Sequence, residues 1–244
     1  MKNILDDLEK LNIFTSGGND PRASLSICNN CILKTKPYSL VFYKKTLPSP
    51  IPIMFISRDP NIKLEEMKSK NCVSPIDFII SLGPQPRKKG LGWFFNDFLL
   101  KNCLWSEFLN FLKSNNPKTP LRFYWTHAVK CYACNDKGFF DDAKDTCIKY
   151  LKEEIVKLKP KLIVGCGLEV AQTLYQIKYN YNRTIKFEDL TQENKGVLTL
   201  GKGEVIIPHP ARALYQQWKK GNFMKVGITA DELKMIIDKV IKDG

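Results

Sequence analysis

Lysine and arginine outnumber aspartate and glutamate by 38 to 25 in this chain of 244 residues, so the formal net charge is +13. Such an excess of positive charge favours nucleic acid or another polyanion as the partner. Hydrophobic residues make up 43% of the chain, yet no apolar run approaches the roughly 20 residues of a membrane span. A low-complexity or membrane-spanning chain is therefore excluded, and we expect one folded domain with a sizeable core.

The amino-terminal residues are acidic and amphipathic and do not contain the apolar stretch of a secretory signal. We therefore expect an intracellular, cytoplasmic protein, acting as a monomer, whose eight cysteines stay reduced. Residues 3–14 are predicted to form an amphipathic helix, with apolar side chains on one side at Ile4, Leu5, Leu8 and Leu11. A polar loop, 15–27, leads to the first cysteine pair.

Short apolar runs then alternate with amphipathic segments. The predicted strands are 51–56, 122–126, 162–164, 197–200 and 205–207, the last two forming a hairpin or two strands with a tight turn. The predicted helices are 93–100, 105–112, 141–158, 168–177, one after Pro210 and one opened by the capping box of Thr229 with Glu232. Residues 62–91 are interpreted as irregular. This order predicts an α/β fold, a single three-layer α/β/α domain whose central, mainly parallel sheet is flanked by helices.

Polar side chains follow three of the predicted strands. Asp59 comes after the first apolar run, His127 closes the second strand, and His209 follows the last. These include both histidines of the chain. Because ligands bind beyond the carboxyl ends of the strands in open α/β sheets, we expect the three residues to share a pocket there.

The cysteines form a second pattern. Cys28 and Cys31 make a Cys-x2-Cys pair, and Cys131, Cys134 and Cys147 lie far downstream. Four thiolates suit zinc or an iron–sulfur cluster. The spacing alone leaves open whether Cys134 or Cys147 completes the set, and a zinc site with Cys134 is a sound alternative.

The order and spacing of these motifs resemble the family-four uracil-DNA glycosylases, the iron–sulfur members of the uracil-DNA glycosylase superfamily. The similarity spans residues 28–214, between an amino-terminal segment (1–27) and carboxy-terminal helices (215–244) of the single domain. The matching stretches are Cys28-Asn-Asn-Cys31-Ile-Leu, Met54-Phe-Ile-Ser-Arg-Asp-Pro60, Thr126-His-Ala-Val-Lys-Cys131, Asp145-Thr-Cys147 through Leu158-Lys-Pro160-Lys-Leu-Ile-Val-Gly, and His209-Pro-Ala-Arg212.

The resemblance implies a [4Fe–4S] cluster held by Cys28, Cys31, Cys131 and Cys147, with zinc as the alternative. It also implies removal of uracil from DNA by base flipping, which leaves an abasic site. Asp59 would orient or activate the attacking water, and His209 would donate a hydrogen bond to the base oxygen that gains charge.

The base would be recognised by His127 and Ser57, with Phe78, or alternatively Phe94, stacking on the flipped ring. The resembling families carry an asparagine at the position of His127 and Gly-Glu at Ser57-Arg58, so the chain is expected to act on uracil or on another deaminated base. The implied DNA contacts are Arg87, Lys88, Lys89, Arg212 and Leu214, the last two as the candidate wedge in the base stack.

Two other functions are compatible with the same sequence. A catalytically silent iron–sulfur relative would bind DNA or RNA without cutting the glycosidic bond, and the departures at His127 and Ser57-Arg58 favour it. A zinc-stabilised binding module is the third. Asp59 and His209 favour the glycosylase.

Overall fold

Four parallel strands form the centre of the protein. A computed structural model of the chain describes residues 4–11, 22, 25, 27–35, 38–62, 64–86, 90–114, 120–133, 137–180, 203–210, 213–221 and 228–243. The strands are β1 (Ile53–Ser57), β2 (Phe123–His127), β3 (Leu162–Cys166) and β4 (Gly203–Ile207), in the order β2-β1-β3-β4. The predicted α/β/α domain with a parallel sheet is confirmed. The predicted strand 197–200 lies outside the described residues.

Helices cover the sheet. They are α1 (Leu64–Ser69), α2 (Pro75–Ser81), α3 (Leu91–Phe94, continued by a π-turn at Phe95–Leu99), α4 (Leu104–Lys113), α5 (Lys137–Leu158), α6 (Leu168–Tyr179), α7 (Ala213–Lys219) and α8 (Ala230–Lys242). None of the described helices is long and apolar enough to cross a membrane.

The two faces of the sheet pack differently. On one face, aromatic side chains from the strands meet those of α3 and α4: Phe55 stacks on Phe94 at 4.6 Å, and Trp125 meets Phe95 edge-on at 5.1 Å. On the other face, Tyr124 donates a hydrogen bond to Glu154 of α5. Gly165 of β3 lies under α6, where an added Cβ would meet Ile206, Leu174 and Val170. Successive side chains of a strand point to opposite faces, which builds three layers.

The amino-terminal segment differs from the expectation. The predicted helix over 3–14 was wrong, because the chain forms two 3₁₀ turns, Ile4–Asp7 and Glu9–Leu11. Its leucines explain the difference: Leu5, Leu8 and Leu11 are all buried and recur every three residues. That spacing matches the three residues per turn of a 3₁₀ helix.

The interpretation of residues 62–91 as irregular was also wrong, since α1 and α2 lie there. Ser74 opens α2 by accepting a hydrogen bond from the backbone N–H of Asp77 at 3.1 Å, and Pro75 occupies the first turn. A serine cap followed by proline was the available signal. The capping box of Thr229 with Glu232 is confirmed at the start of α8.

Candidate active site

The carboxyl edge of the sheet carries the predicted polar groups. β1 ends at Ser57, two residues before Asp59, and β2 ends at His127. β4 ends at Ile207, two residues before His209. Because the strands are parallel, these ends lie at the same edge of the sheet.

Asp59 is held from two sides. Its side chain is almost fully buried, and its Oδ2 accepts a hydrogen bond at 3.1 Å from the backbone N–H of Ala133. Its Oδ1 lies 3.4 Å from Arg58 Nη1. Burial raises the pKa of Asp59, while the charge of Arg58 and the Ala133 hydrogen bond act against this rise. The carboxylate is thus positioned by the cysteine loop and neutralised by its neighbour.

Arg58 also lies close to Glu169, a carboxylate that was not predicted from the sequence. Its Nε lies 3.8 Å from Glu169 Oε1, and its guanidinium carbon lies 4.8 Å from the ring centroid of Phe140. Glu169 belongs to the first turn of α6, directly beyond the end of β3. The available signal was Gly167, which separates the end of β3 from the start of α6 at the same sheet edge.

His209 lies beside the amino terminus of α6. Gly167, which precedes this helix, has a φ of +89°, a conformation that glycine adopts without steric cost. A Cβ built there would lie 3.6 Å from His209 Cβ and 3.7 Å from Glu169 Oε2. Asp59, Arg58 and Glu169 therefore form one charged group at the ends of β1 and β3. His209, beyond β4, lies on the other side of Gly167 from it at the same sheet edge.

His127 lies at the neighbouring strand end, against aromatic rings. Its ring centroid is 5.2 Å from that of Trp125 and 5.9 Å from that of Phe42. The side chain is 1% exposed, and both ring nitrogens are buried. Burial, followed by the charge of Lys130, lowers the pKa of His127 well below 6.5, and a hydrogen bond with the backbone of Leu40 opposes this only in part. The imidazole is therefore neutral.

Ser57 and the two candidate phenylalanines have packing partners. Ser57 Oγ accepts a hydrogen bond from Trp125 Nε1 at 2.9 Å, which fixes the indole beneath His127. Phe78 is 5% exposed, with Lys70 Nζ 5.2 Å from its ring centroid, and Phe94 lies in the aromatic core. Their roles in base recognition stay predictions.

The predicted DNA contacts fall largely beyond the described part of the chain. Arg87, Lys88, Lys89 and Arg212 lie outside the described residues, and Leu214 belongs to α7 without a described side chain. Their contact with DNA stays a prediction.

The four predicted metal-binding cysteines share a buried neighbourhood. Cys28, Cys31, Cys131 and Cys147 are each between 4% and 7% exposed. Burial, with smaller contributions from the charges of Cys28 and Cys31, raises the pKa of Cys131 to about 12, while Arg22 acts against this rise. Burial likewise raises the pKa of Cys147, which is affected by the same three thiols. The fold thus brings the two remote pairs together.

Polar side chains accompany these thiols. The buried Arg22 donates a hydrogen bond from Nη1 to Cys131 Sγ at 3.4 Å, and Tyr150 Oη lies 3.8 Å from Cys28 Sγ. Within the described residues, no three His, Cys, Asp or Glu side chains are arranged to hold a single metal ion. The donor set, four soft and buried thiols, nevertheless fits an iron–sulfur cluster or zinc in chemistry. Cys134, the alternative ligand, lies outside the described residues.

A parallel α/β/α domain with polar groups at its carboxyl edge defines a ligand-binding or catalytic domain. Residues 45–231, more than half of the chain, match the family model of the Uracil DNA glycosylase superfamily. The chain therefore belongs to this superfamily, whose activity is the removal of bases from DNA in repair. The matched range includes Asp59, His127 and His209, whereas Cys28 and Cys31 precede it. The chain matches none of the curated proteins.

Proposed function

We propose that this protein hydrolyses the N-glycosidic bond of uracil, or of another deaminated base, in DNA, and that it resembles the family-four enzymes. The observation that carries the proposal is the placement of Asp59, ion-paired through Arg58 to Glu169, at the same carboxyl edge of the sheet as His209, which lies beside Gly167 at the start of α6. Seven described cysteines are free thiols, which fits action inside the cell.

Asp59 would act on the sugar side of the bond. Cleavage builds positive charge on the sugar and needs a water molecule on its far face. A carboxylate whose pKa is raised by burial is a better base near neutral pH than an ordinary aspartate. Arg58 limits this effect, and its ion pair with Glu169 provides a second partner for the guanidinium.

His209 would act on the base side. The departing base carries negative charge, which an imidazole N–H can stabilise by donating a hydrogen bond. His209 lies beside Gly167 and the start of α6, a helix of 12 residues. The positive end of the helix dipole adds to this stabilisation.

His127 would read the base edge. A neutral imidazole offers one N–H donor and one nitrogen acceptor, and the ring lies at the end of β2, at the sheet edge that carries Asp59. The ring differs in reach from an asparagine amide, which is why another deaminated base stands beside uracil as the substrate.

DNA engagement would rest on the charge of the chain, +13, because neutralising phosphates supplies most of non-specific affinity. We propose Arg87, Lys88 and Lys89 as backbone contacts, with Arg212 or Leu214 inserted into the base stack.

The cysteine set would hold a [4Fe–4S] cluster through Cys28, Cys31, Cys131 and Cys147, with zinc, ligated through Cys134, as the alternative. When bound, such a centre would crosslink the segment of Cys28 and Cys31 to the Cys131 loop and to α5, which carries Cys147, without redox chemistry in the reaction. The buried Arg22, bonded to Cys131 Sγ, would offset the negative charge of the thiolates.

One observation favours a silent nucleic-acid-binding relative. Both carboxylate oxygens of Asp59 have partners, Arg58 on one side and the Ala133 N–H on the other. A carboxylate so engaged is less available to a water molecule. This second candidate keeps DNA or RNA binding and lacks excision.

The test is base excision by anaerobically prepared protein on oligonucleotides that carry one uracil, hypoxanthine or xanthine, in single and double strands. Alkaline cleavage reports the abasic site. Asp59→Ala should abolish the breaks, whereas Asp231→Asn, on the exposed side of α8, should not. Breaks on one oligonucleotide identify the base. Nucleic-acid binding without breaks on any of them would refute the glycosylase and favour the silent relative.

A further inference from the structure

A buried ion pair lies beneath the end of β2. Lys130 and Glu154 are both 0% exposed, and Lys130 Nζ donates a hydrogen bond to Glu154 Oε2. The same ammonium donates to Thr126 Oγ1 and to the backbone carbonyl of His127, each at 2.7 Å. All three donor positions of the ammonium are therefore used.

Glu154 is equally well bonded. Its Oε1 accepts hydrogen bonds from Tyr124 Oη at 2.7 Å and from Thr126 Oγ1 at 3.0 Å. Such a fully bonded network makes its members rigid, because the ammonium and both carboxylate oxygens are all engaged. The last residues of β2 are thereby tied to α5 through side chains.

The pair also lies between the base-reading strand end and the cysteines. Lys130 immediately precedes Cys131, and Glu154 follows Cys147 by seven residues, or two turns, on α5. The carbonyl of Lys130 accepts a hydrogen bond from the Leu40 N–H at 2.9 Å. The segments that carry Cys131, Cys147 and His127 therefore meet at this one pair.

We propose that Lys130 and Glu154 are positioning residues that hold His127 in register with α5 and so set the discrimination between bases. This proposal rests on the proposed function of the same site. An apolar pair of similar size would stabilise a core at least as well as buried charges do. An apolar side chain at residue 130, however, could not bond the His127 carbonyl and Glu154 together as the Lys130 ammonium does.

A matched control lies at the other end of the same strand. Arg122, just before β2, donates from Nε to Glu107 of α4 at 3.1 Å, and this pair is partly buried. The Arg122–Glu107 pair links β2 to a helix as the Lys130–Glu154 pair does, but at the amino end of the strand, away from His127. Replacing the Arg122–Glu107 pair therefore tests whether loss of any strand-to-helix link, and not the link at His127, causes the effect.

The experiment compares Lys130→Met/Glu154→Gln with Arg122→Met/Glu107→Gln. Neither double variant leaves an unpaired buried charge, and in Glu154→Gln the side-chain amide oxygen still accepts from Tyr124 Oη. Circular dichroism and melting establish that each is folded. For each we would measure single-turnover excision, the Kd for undamaged DNA, and the ratio of Kd values for undamaged and damaged DNA.

We expect Lys130→Met/Glu154→Gln to excise about tenfold or more slowly and to lose a similar factor in base discrimination, with the Kd for undamaged DNA unchanged. The Arg122 control should keep both. Unchanged excision and discrimination in a folded Lys130 variant would overturn the positioning role, as would equal losses in the control. If the wild-type protein cuts no bond, the proposed function fails, and the discrimination ratio alone decides this inference. A wild-type protein that neither cuts nor discriminates would overturn both.

Discussion

The carboxylate of Asp59 accepts a hydrogen bond at 3.1 Å from the backbone N–H of Ala133, which follows Cys131 by two residues. The candidate catalytic carboxylate and the cysteine loop are therefore held to each other. Asp59→Ala removes both the negative charge and this hydrogen bond. A variant that removes the charge alone separates the two effects.

Asp59→Asn is that variant, because its amide oxygen still accepts from the Ala133 N–H while the charge is lost. We expect excision to fall about a hundredfold or more, with DNA affinity nearly unchanged. Single-turnover cleavage and fluorescence anisotropy measure the two quantities. Burial raises the pKa of Asp59, so wild-type excision should be lost, as the pH falls, at a higher pH than for an ordinary aspartate. Full activity in Asp59→Asn would reduce Asp59 to a turn residue.

Much of the fold could be predicted because the pattern of hydrophobic residues determines which segments form the buried strands and helices. The runs that became β1 and β3 are almost wholly apolar, and β1, β2 and β3 are buried on both faces, as expected for parallel strands covered by helices. Asp59, His127 and His209 follow from the same pattern, since parallel strand ends define one edge. The Cys28–Cys31 pair could be recognised because its spacing is local, whereas spacing alone left Cys134 and Cys147 as alternatives downstream.

The remaining parts depend on tertiary contacts. Glu169 enters the site only because Arg58 turns toward α6, and no local pattern encodes that ion pair. Lys130 and Glu154 resemble ordinary charged residues in the sequence, yet both are fully buried. The 3₁₀ turns that contain Leu5 and Leu11 could not be told from an α-helix in the sequence, because leucines three residues apart fit both structures.

His127→Asn should increase uracil excision by about tenfold. An asparagine amide presents a donor and an acceptor side by side, whereas the imidazole nitrogens diverge. The measurement is the ratio of single-turnover rates on uracil and hypoxanthine oligonucleotides for the variant and the wild type. A fall in uracil excision, with hypoxanthine or xanthine excision also lost, would mean that histidine defines a different substrate.

The same substitution should change stability in acid. The pKa of His127 lies well below 6.5 in the folded protein because the ring is buried. Below pH 6.5 the unfolded chain takes up a proton that the folded one does not, so stability falls as the pH is lowered. Urea unfolding at pH 5 and pH 7 should show a smaller difference for His127→Asn than for wild type. An equal difference would mean that His127 is protonated in the folded protein.

The cysteine centre gives a prediction about composition. Protein purified without oxygen should be brown and contain about four irons per chain if one [4Fe–4S] cluster is bound. Cys147→Ala should lose the iron, whereas Cys134→Ala should retain it. Cys166→Ala is the control, because this thiol is also buried but belongs to β3. Zinc in place of iron, lost in Cys134→Ala and kept in Cys147→Ala, would establish the alternative ligand set.

Glu204 should make the stability of the protein depend on pH. Its side chain is 0% exposed on β4, neither oxygen has a hydrogen-bond partner among the described residues, and burial raises its pKa to about 8. Between pH 4.5 and about 8, the unfolded chain is ionised at this residue while the folded one keeps its proton. Stability is therefore lost as the pH rises through this window.

Glu204→Gln should remove that loss and stabilise the protein by about 1–3 kcal/mol at pH 8.5, with little effect at pH 4. Urea unfolding across this pH range measures it. Glu232→Gln is the control of opposite sign. The Glu232 carboxylate accepts a hydrogen bond from the Thr229 backbone N–H, which lowers the pKa of Glu232. This substitution should therefore destabilise the protein at neutral pH. A Glu204→Gln variant no more stable than wild type at pH 8.5 would mean that the Glu204 carboxylate ionises without cost, and hence that solvent or a counter-charge reaches it.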